Sequence, residues 1–299
     1  MKNVVASIRA RLLNEARTNQ KEFGPVLERY AIGRLIYRLS VSNYADQFIL
    51  KGAQLFSIWT TEGFRPTRDA DFLGLSEYDE KELETTFKEI CSLSIQEEDG
   101  LIWHDVSAQA IRKDNRHGGI RIRLIATLEQ ARIRVQIDVG FGDCVTPEPV
   151  QIQWMGMLGF KPCAILAYPP ETVIAEKIEA AVALGDGNSR MKDFYDLYWM
   201  SKHMSFGRNL LVEAIKSTFS RRKTAFPMET PSSFCVSFAN RLDKQTQWVA
   251  FLRKSHLSSL EFSEVLDEIN HFLTPLFQKN ETSHPDQSWH PDEGWKNAQ

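Results

Sequence analysis

The most regular pattern along this chain is an alternation of apolar and polar residues in two adjacent segments. Apolar residues occupy every second position over 120–127 and again over 132–138, and Glu129 and Gln130 separate the two segments. A period of two residues is typical of a strand with one buried face. The pattern therefore predicts an antiparallel hairpin, with Asp138 on its polar face.

Most of the remaining chain shows the spacing of amphipathic helices, in which apolar residues recur every three or four positions. Two short segments, 48–50 and 68–74, predict strands instead, and glycine or proline separates several of the elements. The predicted helices cover, approximately, residues 4–17, 23–39, 53–60, 80–93, 171–184, 191–203, 209–219, 231–243, 248–253 and 262–277.

These elements predict an α+β fold in two domains. Residues 1–164 would form a domain with N-terminal helices and a mixed or antiparallel sheet. Residues 165–299 would form an α-helical domain with a polar C-terminal tail, and we expect Trp289 and Trp295 of this tail to pack back on the helices.

Composition narrows the class of protein. The chain has 299 residues, 42% hydrophobic and 25% charged, as in soluble globular proteins. We expect a cytoplasmic protein without a membrane anchor, because no apolar run approaches the ~20 residues of a membrane span and the N-terminus lacks a secretory signal. The four cysteines lack metal-ligand spacing and are expected to be free thiols. A formal net charge of −3 argues against a uniformly basic nucleic-acid binder.

The first candidate for chemistry is the pair Asp69 and Asp71 on a predicted strand. Residues two apart on a strand project to the same side, so the two carboxylates would repel each other without a cation between them. Mg²⁺ is the usual partner of such an oxygen-only site. The alternative is a pair of solvated acids at the end of a strand.

Two further features of the sequence support a functional role for this pair. Lys51, Gly52 and Ala53 lie at a predicted strand-to-helix junction, where backbone N–H groups can bind phosphate, although a glycine in a tight turn is the simpler explanation. Asp138 would supply a third carboxylate from a neighbouring strand, either as a metal ligand or as a base for an attacking hydroxyl group. The alternative for Asp138 is an exposed acid beside Arg132 and Arg134.

Together these residues resemble the AbiEii/AbiGii toxin family of nucleotidyltransferases, within the DNA polymerase β-like superfamily. The resemblance extends over roughly residues 5–277 and is carried by several motifs: FILKGA (48–53), RPTRDAD (65–71), IDVGFGD (137–143), AEKI (175–178) and SRMKDFYDL (189–197). The wider superfamily usually has Gly-Ser where this chain has Gly52-Ala53, so one hydroxyl ligand for phosphate is missing here.

The resemblance implies a toxin that consumes a nucleoside triphosphate with Mg²⁺, or Mn²⁺, as cofactor. Its partners would be an AbiEi-like antitoxin encoded nearby and an RNA acceptor, with the tRNA 3′ end as the expected target. Catalytic roles would fall to Asp69, Asp71, Asp138, Lys177 and Asp193, and the first three would also bind the metal. Nucleotide binding would fall to Lys51, Gly52, Ala53, Arg68, Arg190 and Lys192.

Several alternatives remain open at this point. The group Lys192, Asp193 and Asp196 has the spacing of an ordinary ion-pair network on a helix surface, and Arg190 could pair with Asp193 rather than bind phosphate. A protein-nucleotidylating enzyme or kinase could use the same site, and an inactive binding module is the rival from another class. A local basic patch suits an RNA acceptor or a solvated strand face equally well; it comprises Arg112, Lys113, Arg116, His117, Arg121 and Arg123.

Overall fold

A computed structural model of the protein describes residues 2–60, 65–111, 118–227, 229–277 and 286–297. The chain divides into two compact units. The first comprises Met1–Asp143 and Pro149–Tyr168, and the second comprises Cys144–Glu148 and Pro169–Gln299.

The first unit contains a seven-stranded mixed sheet. Its strands are β1 (Phe48–Lys51), β2 (Asp69–Gly74), β3 (Ile102–Ile111), β4 (Gly119–Leu128), β5 (Ala131–Phe141), β6 (Val150–Trp154) and β7 (Cys163–Ala167). They are arranged in the order β3-β4-β5-β2-β1-β7-β6. The pairs β2–β5 and β1–β7 are parallel and the other four are antiparallel, which confirms the predicted mixed sheet.

In the described part of the first unit, four helices accompany this sheet: α1 (Lys2–Thr18), α2 (Phe23–Ser40), α3 (Phe56–Trp59) and α4 (Glu80–Ser92). A capping box formed by Asp79 and Glu82 begins α4 and satisfies two otherwise unpaired backbone N–H groups. Helix α2 is held by a buried ionic group, in which Arg34 and Arg38 both contact the carboxylate of Asp99. The hairpin predicted from the alternating pattern is β4–β5, with apolar side chains on its buried face.

The second unit is mainly helical, with α5 (Pro170–Leu184), α6 (Met191–His203), α7 (Arg208–Arg222), α8 (Val236–Ala239), α9 (Leu242–Lys254) and α10 (Phe262–Phe277). It also contains a small antiparallel sheet, in which β9 (Gln287–His290) pairs with β8 (Phe206–Gly207) and β10 (Gly294–Asn297). The polar tail, for which no secondary structure was predicted, thus contains a hairpin.

The two tail tryptophans explain why the hairpin is stable. The Trp289 side chain is 1% exposed, and its indole N–H donates to the Ser201 carbonyl over 2.8 Å. Trp295 stacks on Phe272, with ring centroids 5.9 Å apart. Burial of large aromatic surface outweighs the polar character of the surrounding sequence. The expectation that both tryptophans pack back on this unit is confirmed.

Two other differences concern the boundaries of elements. The helix predicted over 231–243 is instead a 3-10 turn (Ser232–Phe234) followed by the short α8, because Arg241 is extended and begins α9. The predicted domain boundary after residue 164 falls inside β7. This strand belongs to the first unit, where Ala167 pairs with Leu50 of β1. All four cysteines are free, as expected.

Candidate active site

The acid pair lies where three strands meet in register. Asp71 on β2 is directly opposite Asp138 on the parallel strand β5 and opposite Lys51 on the antiparallel strand β1. Asp69 is two residues earlier on β2, so its side chain leaves the same face of the sheet as Asp71. The Thr67 hydroxyl donates to the Asp69 carboxylate over 2.8 Å. The sheet therefore brings Asp69, Asp71, Asp138 and Lys51 to one side of its centre.

Gly52 is required by the position of Asp71. Its φ is +73°, and a Cβ atom built on it would lie 2.2 Å from the Asp71 carboxylate oxygen. Any side chain at position 52 would therefore displace the carboxylate, in addition to adopting a strained backbone. The helix predicted from residue 53 is a 3-10 turn (Gly52–Leu55) followed by the one-turn helix α3. Gly52 thus acts by leaving room for Asp71.

Asp138 has a partner that the alternating pattern did not identify. The Arg121 guanidinium donates two hydrogen bonds to its carboxylate, over 2.8 and 2.7 Å. These bonds raise the pKa of Arg121 above its ordinary value, and the nearby charges of Asp69 and Asp71 add to the effect. Arg121 therefore holds Asp138 in a fixed orientation and places a cation beside all three acids.

Lys51 is also held by an acid to which the sequence assigned no role. Its ammonium is 2.8 Å from the Asp143 carboxylate, and the two side chains are only 15% and 9% exposed. Gly140 makes room for this contact, since an added Cβ would lie 3.3 Å from the Lys51 ammonium. The glycine and the acid both belong to the segment 137–143, whose spacing of Asp138, Gly140 and Asp143 was the available signal.

The oxygen donors of Asp69 and Asp71 are suited to a hard divalent cation, and their shared face suits one ion between them. Asp138 is less available, because Arg121 binds both of its oxygens. Within the described ranges, no group of three or more His, Cys, Asp or Glu side chains is arranged to hold a metal ion. The pair fits a metal ion, whereas the three-carboxylate site stays a prediction.

A second polar cluster lies in the second unit, between α5 and α6. The Lys177 ammonium contacts Asp193 over 2.9 Å and Asp196 over 2.7 Å, and both carboxylates are buried. Arg190 approaches the other oxygen of Asp193 to 2.6 Å. Lys192 is exposed. The cluster is therefore a buried network, rather than the surface ion pairs that the spacing on α6 allowed.

A match to a family profile shows which protein family the chain belongs to. The profile described as "Nucleotidyl transferase AbiEii toxin, Type IV TA system" matches residues 34–268, which include both clusters. The chain belongs to the AbiEii nucleotidyl transferase toxin family. It is therefore a nucleotidyltransferase, as the motifs indicated, and membership of a type IV toxin–antitoxin family implies an antitoxin partner.

Other comparisons add less to this assignment. Two solved structures from Helicobacter pylori are similar to the AbiEii-family chain. JHP933 has 15% identity, a TM-score of 0.48 and coverage of 82% of this chain and 88% of its own. A second protein has 16% identity, a TM-score of 0.44 and coverage of 81% and 91%. A search of curated proteins finds no significant match. In the part of the chain that the structure describes, no helix has the length and apolarity of a membrane span.

Among the other predicted residues of this AbiEii-family protein, Arg68 is exposed and part of the basic patch lies outside the described residues. The Arg68 side chain is 72% exposed, and its guanidinium lies 3.9 Å from the Glu28 carboxylate. Four members of the predicted basic patch, Arg112, Lys113, Arg116 and His117, lie outside the described residues. Arg121 and Arg123 of that patch are both on β4, and only Arg121 contacts Asp138.

The environment of Asp193 predicts how the free energy of unfolding changes in acid. Burial by itself would raise its pKa, but the charges of Lys177 and Arg190 outweigh burial and lower the pKa from 3.8 to about 2. Asp193 therefore stabilises the folded state above pH 3.8, and this contribution is lost as the pH falls to about 2. Over that window we expect the free energy of unfolding of the wild type to fall by on the order of 2 kcal/mol more than that of Asp193→Asn.

Urea unfolding of both proteins at several pH values from roughly 5 down to about 2, the range over which linkage predicts the loss, measures this difference. Asp105→Asn, which changes an exposed carboxylate on β3, is the matched control and should follow the wild type. Parallel curves for the wild type and Asp193→Asn would show that the ion pairs do not hold Asp193 ionised.

Proposed function

We propose that this AbiEii-family protein transfers a nucleoside monophosphate from a nucleoside triphosphate to the 3′-terminal hydroxyl of an RNA, with tRNA as the acceptor. The observation that carries the proposal is the register of the three central strands. It sets Asp71 between Lys51 and Asp138, with Gly52 leaving space for the Asp71 carboxylate. The carboxylates of Asp71 and Asp138 thus lie side by side, with Lys51 on one side and Arg121 on the other, and this arrangement suits phosphoryl transfer.

In this proposal Asp69 and Asp71 would hold Mg²⁺, or Mn²⁺ in its place. When bound, the ion would supply positive charge beside the triphosphate and its leaving group. The carboxylates fit this role by their shared face and by their oxygen donors. Hydrogen bonds from the Thr67 hydroxyl to the Asp69 carboxylate and from the Gln54 amide to the Asp69 carbonyl fix the orientation of that residue.

Asp138 is the proposed base. The acceptor hydroxyl oxygen forms a bond to the α-phosphorus of the triphosphate, its proton passes to the Asp138 carboxylate, and the bond to the β-phosphate breaks to release pyrophosphate. Arg121 fixes the orientation of Asp138 through one hydrogen bond to each carboxylate oxygen, and the proton would pass to a second lone pair of one of these oxygens. Lys51, held by Asp143, places a further positive charge beside the triphosphate.

Lys177 of the second unit is proposed to bind phosphate, a role that rests on family membership alone. Asp193 and Asp196 fix the position of the Lys177 ammonium, which lies 2.9 and 2.7 Å from their carboxylates. Arg190 is half-exposed, and its guanidinium retains donors that do not face Asp193. Family membership supports these roles, since the profile match includes both α5 and α6.

Incubation with each α-labelled nucleoside triphosphate, Mg²⁺, and either unfractionated tRNA or cell lysate tests the proposal. We expect label to enter RNA with at least one nucleotide, and to be released by ribonuclease but not by protease. If label is found only in protein, the acceptor is a protein and the RNA acceptor is refuted. No label in any macromolecule with all four nucleotides would refute transfer altogether. Expression with and without the neighbouring AbiEi-like gene tests the proposed antitoxin.

A further inference from the structure

The hairpin β4–β5 has one polar face and one apolar face. The apolar face is buried and packs against α2 and α4. Ile122, Leu124, Val135 and Ile137 on that buried face are at most 2% exposed. The alternate positions are exposed or half-buried, and they include Asp138 next to Asp71. Side chains on this polar face therefore lie on the same side of the sheet as the acid pair.

Three exposed arginines occupy this polar face: Arg123, Arg132 and Arg134, here called the arginine strip. Arg123 is opposite Gln136, and Ile125 is opposite Arg134, so Arg123 and Arg134 are diagonal neighbours. Arg132 is two residues beyond Arg134. Both separations are about 7 Å in a β-sheet. The strip thus carries three cations at similar intervals along one surface.

The strip differs in its bonding from the arginine that precedes it. Arg121 is bound to Asp138, whereas Arg123 donates only to the neutral Gln109 side chain, over 3.0 Å. Across the described ranges, no ion pair involves a member of the strip. An exposed guanidinium without a carboxylate partner keeps its planar donor group available for phosphate. These charges stand out on a chain with a formal net charge of −3.

The arginine strip extends away from the acid pair along the hairpin. It begins beside the Arg121–Asp138 pair and runs toward the turn between β4 and β5, ending at Arg132, six residues before Asp138 on the same strand. Six residues of strand span about 20 Å. A surface of that length suits an extended polyanion with one end at Asp138, and is much longer than a single phosphate group needs.

We propose that the arginine strip binds the phosphate backbone of the RNA acceptor next to its reacting end. This inference rests on the proposed function, which places the terminal hydroxyl at Asp138. The strip is continuous with that position, which favours the acceptor over an acidic protein partner. Binding through phosphates is independent of base identity and depends on salt.

The test compares two triple variants in binding unfractionated tRNA at increasing salt concentration. Arg123→Gln/Arg132→Gln/Arg134→Gln removes the strip. Arg17→Gln/Lys81→Gln/Lys88→Gln removes the same charge from exposed positions of α1 and α4. For the strip variant we expect at least roughly tenfold weaker binding at low salt and a loss of about 2 from the slope of log affinity against log salt. The control should bind tRNA as the wild type does.

Transfer kinetics give a second measurement. We expect the strip variant to raise the KM for RNA about tenfold while leaving kcat at saturating RNA and the KM for the nucleotide nearly unchanged. If the strip variant binds tRNA like the wild type, or no worse than the control variant, the inference is overturned even when the wild type transfers nucleotides. A different result is that the wild type labels no RNA, while tRNA binding is weakened in the strip variant and not in the control variant. In that case the proposed transfer fails and the binding surface stands.

Discussion

Replacing Asp71 by asparagine is expected to lower nucleotide transfer at least about 10³-fold, because the variant removes one of the two charges that would hold the metal ion. Asparagine keeps the size of the side chain, so its contact with Gly52 is preserved. The backbone register with Lys51 and Asp138 should not change either. The α-labelled nucleotide assay measures the loss directly. Growth after induced expression gives a second measurement, in which the wild type arrests growth and the variant does not.

Asp105→Asn is the matched control for this variant, since it removes one exposed carboxylate from β3 of the same sheet. It should transfer nucleotides at the wild-type rate and remain toxic. Urea unfolding of both variants verifies that each is folded. If Asp71→Asn transfers nucleotides within a few-fold of the wild-type rate, the acid pair is not needed for catalysis. Equal toxicity of the two variants would separate toxicity from catalysis.

The second large effect is expected at Gly52. In Gly52→Ala, the new Cβ would meet the Asp71 carboxylate at 2.2 Å, and the residue would have to keep a φ of +73°. The backbone strain alone costs about 1–2 kcal/mol, and displacement of Asp71 adds to it. We expect the free energy of unfolding to fall by at least about 2 kcal/mol. We also expect transfer to fall roughly 10²-fold, as for a catalytic group misplaced by about 1 Å.

Gly159→Ala separates strain from displacement. Gly159 has nearly the same φ, +75°, but an added Cβ would have no atom within 4 Å. This variant should lose about 1–2 kcal/mol of stability to backbone strain and no transfer activity. If Gly52→Ala behaves like Gly159→Ala in both measurements, the close approach of Asp71 to Gly52 has no catalytic importance.

Local sequence patterns were sufficient to predict an element wherever one of its faces is buried uniformly. The alternating residues of β4 and β5 and the helical spacing of α6 predicted these elements closely, because each side chain's exposure follows from its position in the repeat. The pattern was insufficient for β3, β6 and β7, which the sequence analysis did not identify. These strands are defined by their partners across the sheet, so their own residues carry a weaker signal.

The candidate site shows the same division. The motifs identified Asp69, Asp71, Asp138 and Lys51 as polar residues near glycines, which is information carried by residue type and spacing. The partners of these residues were not predictable in this way. Arg121 and Asp143 lie 17 residues before Asp138 and 92 residues after Lys51, respectively. Only the order of strands brings each pair together.

The amino-acid sequence by itself determined the family, the class of fold and the residue types available for phosphoryl transfer, because motif spacing and hydrophobic periodicity are properties of the linear chain. The tertiary structure decided how the acids are held. Parallel pairing of β2 with β5 placed Asp71 opposite Asp138, and the positive φ of Gly52 left space for the Asp71 carboxylate. Such contacts depend on strand order and register, and these are set by the packing of the whole sheet rather than by any single segment.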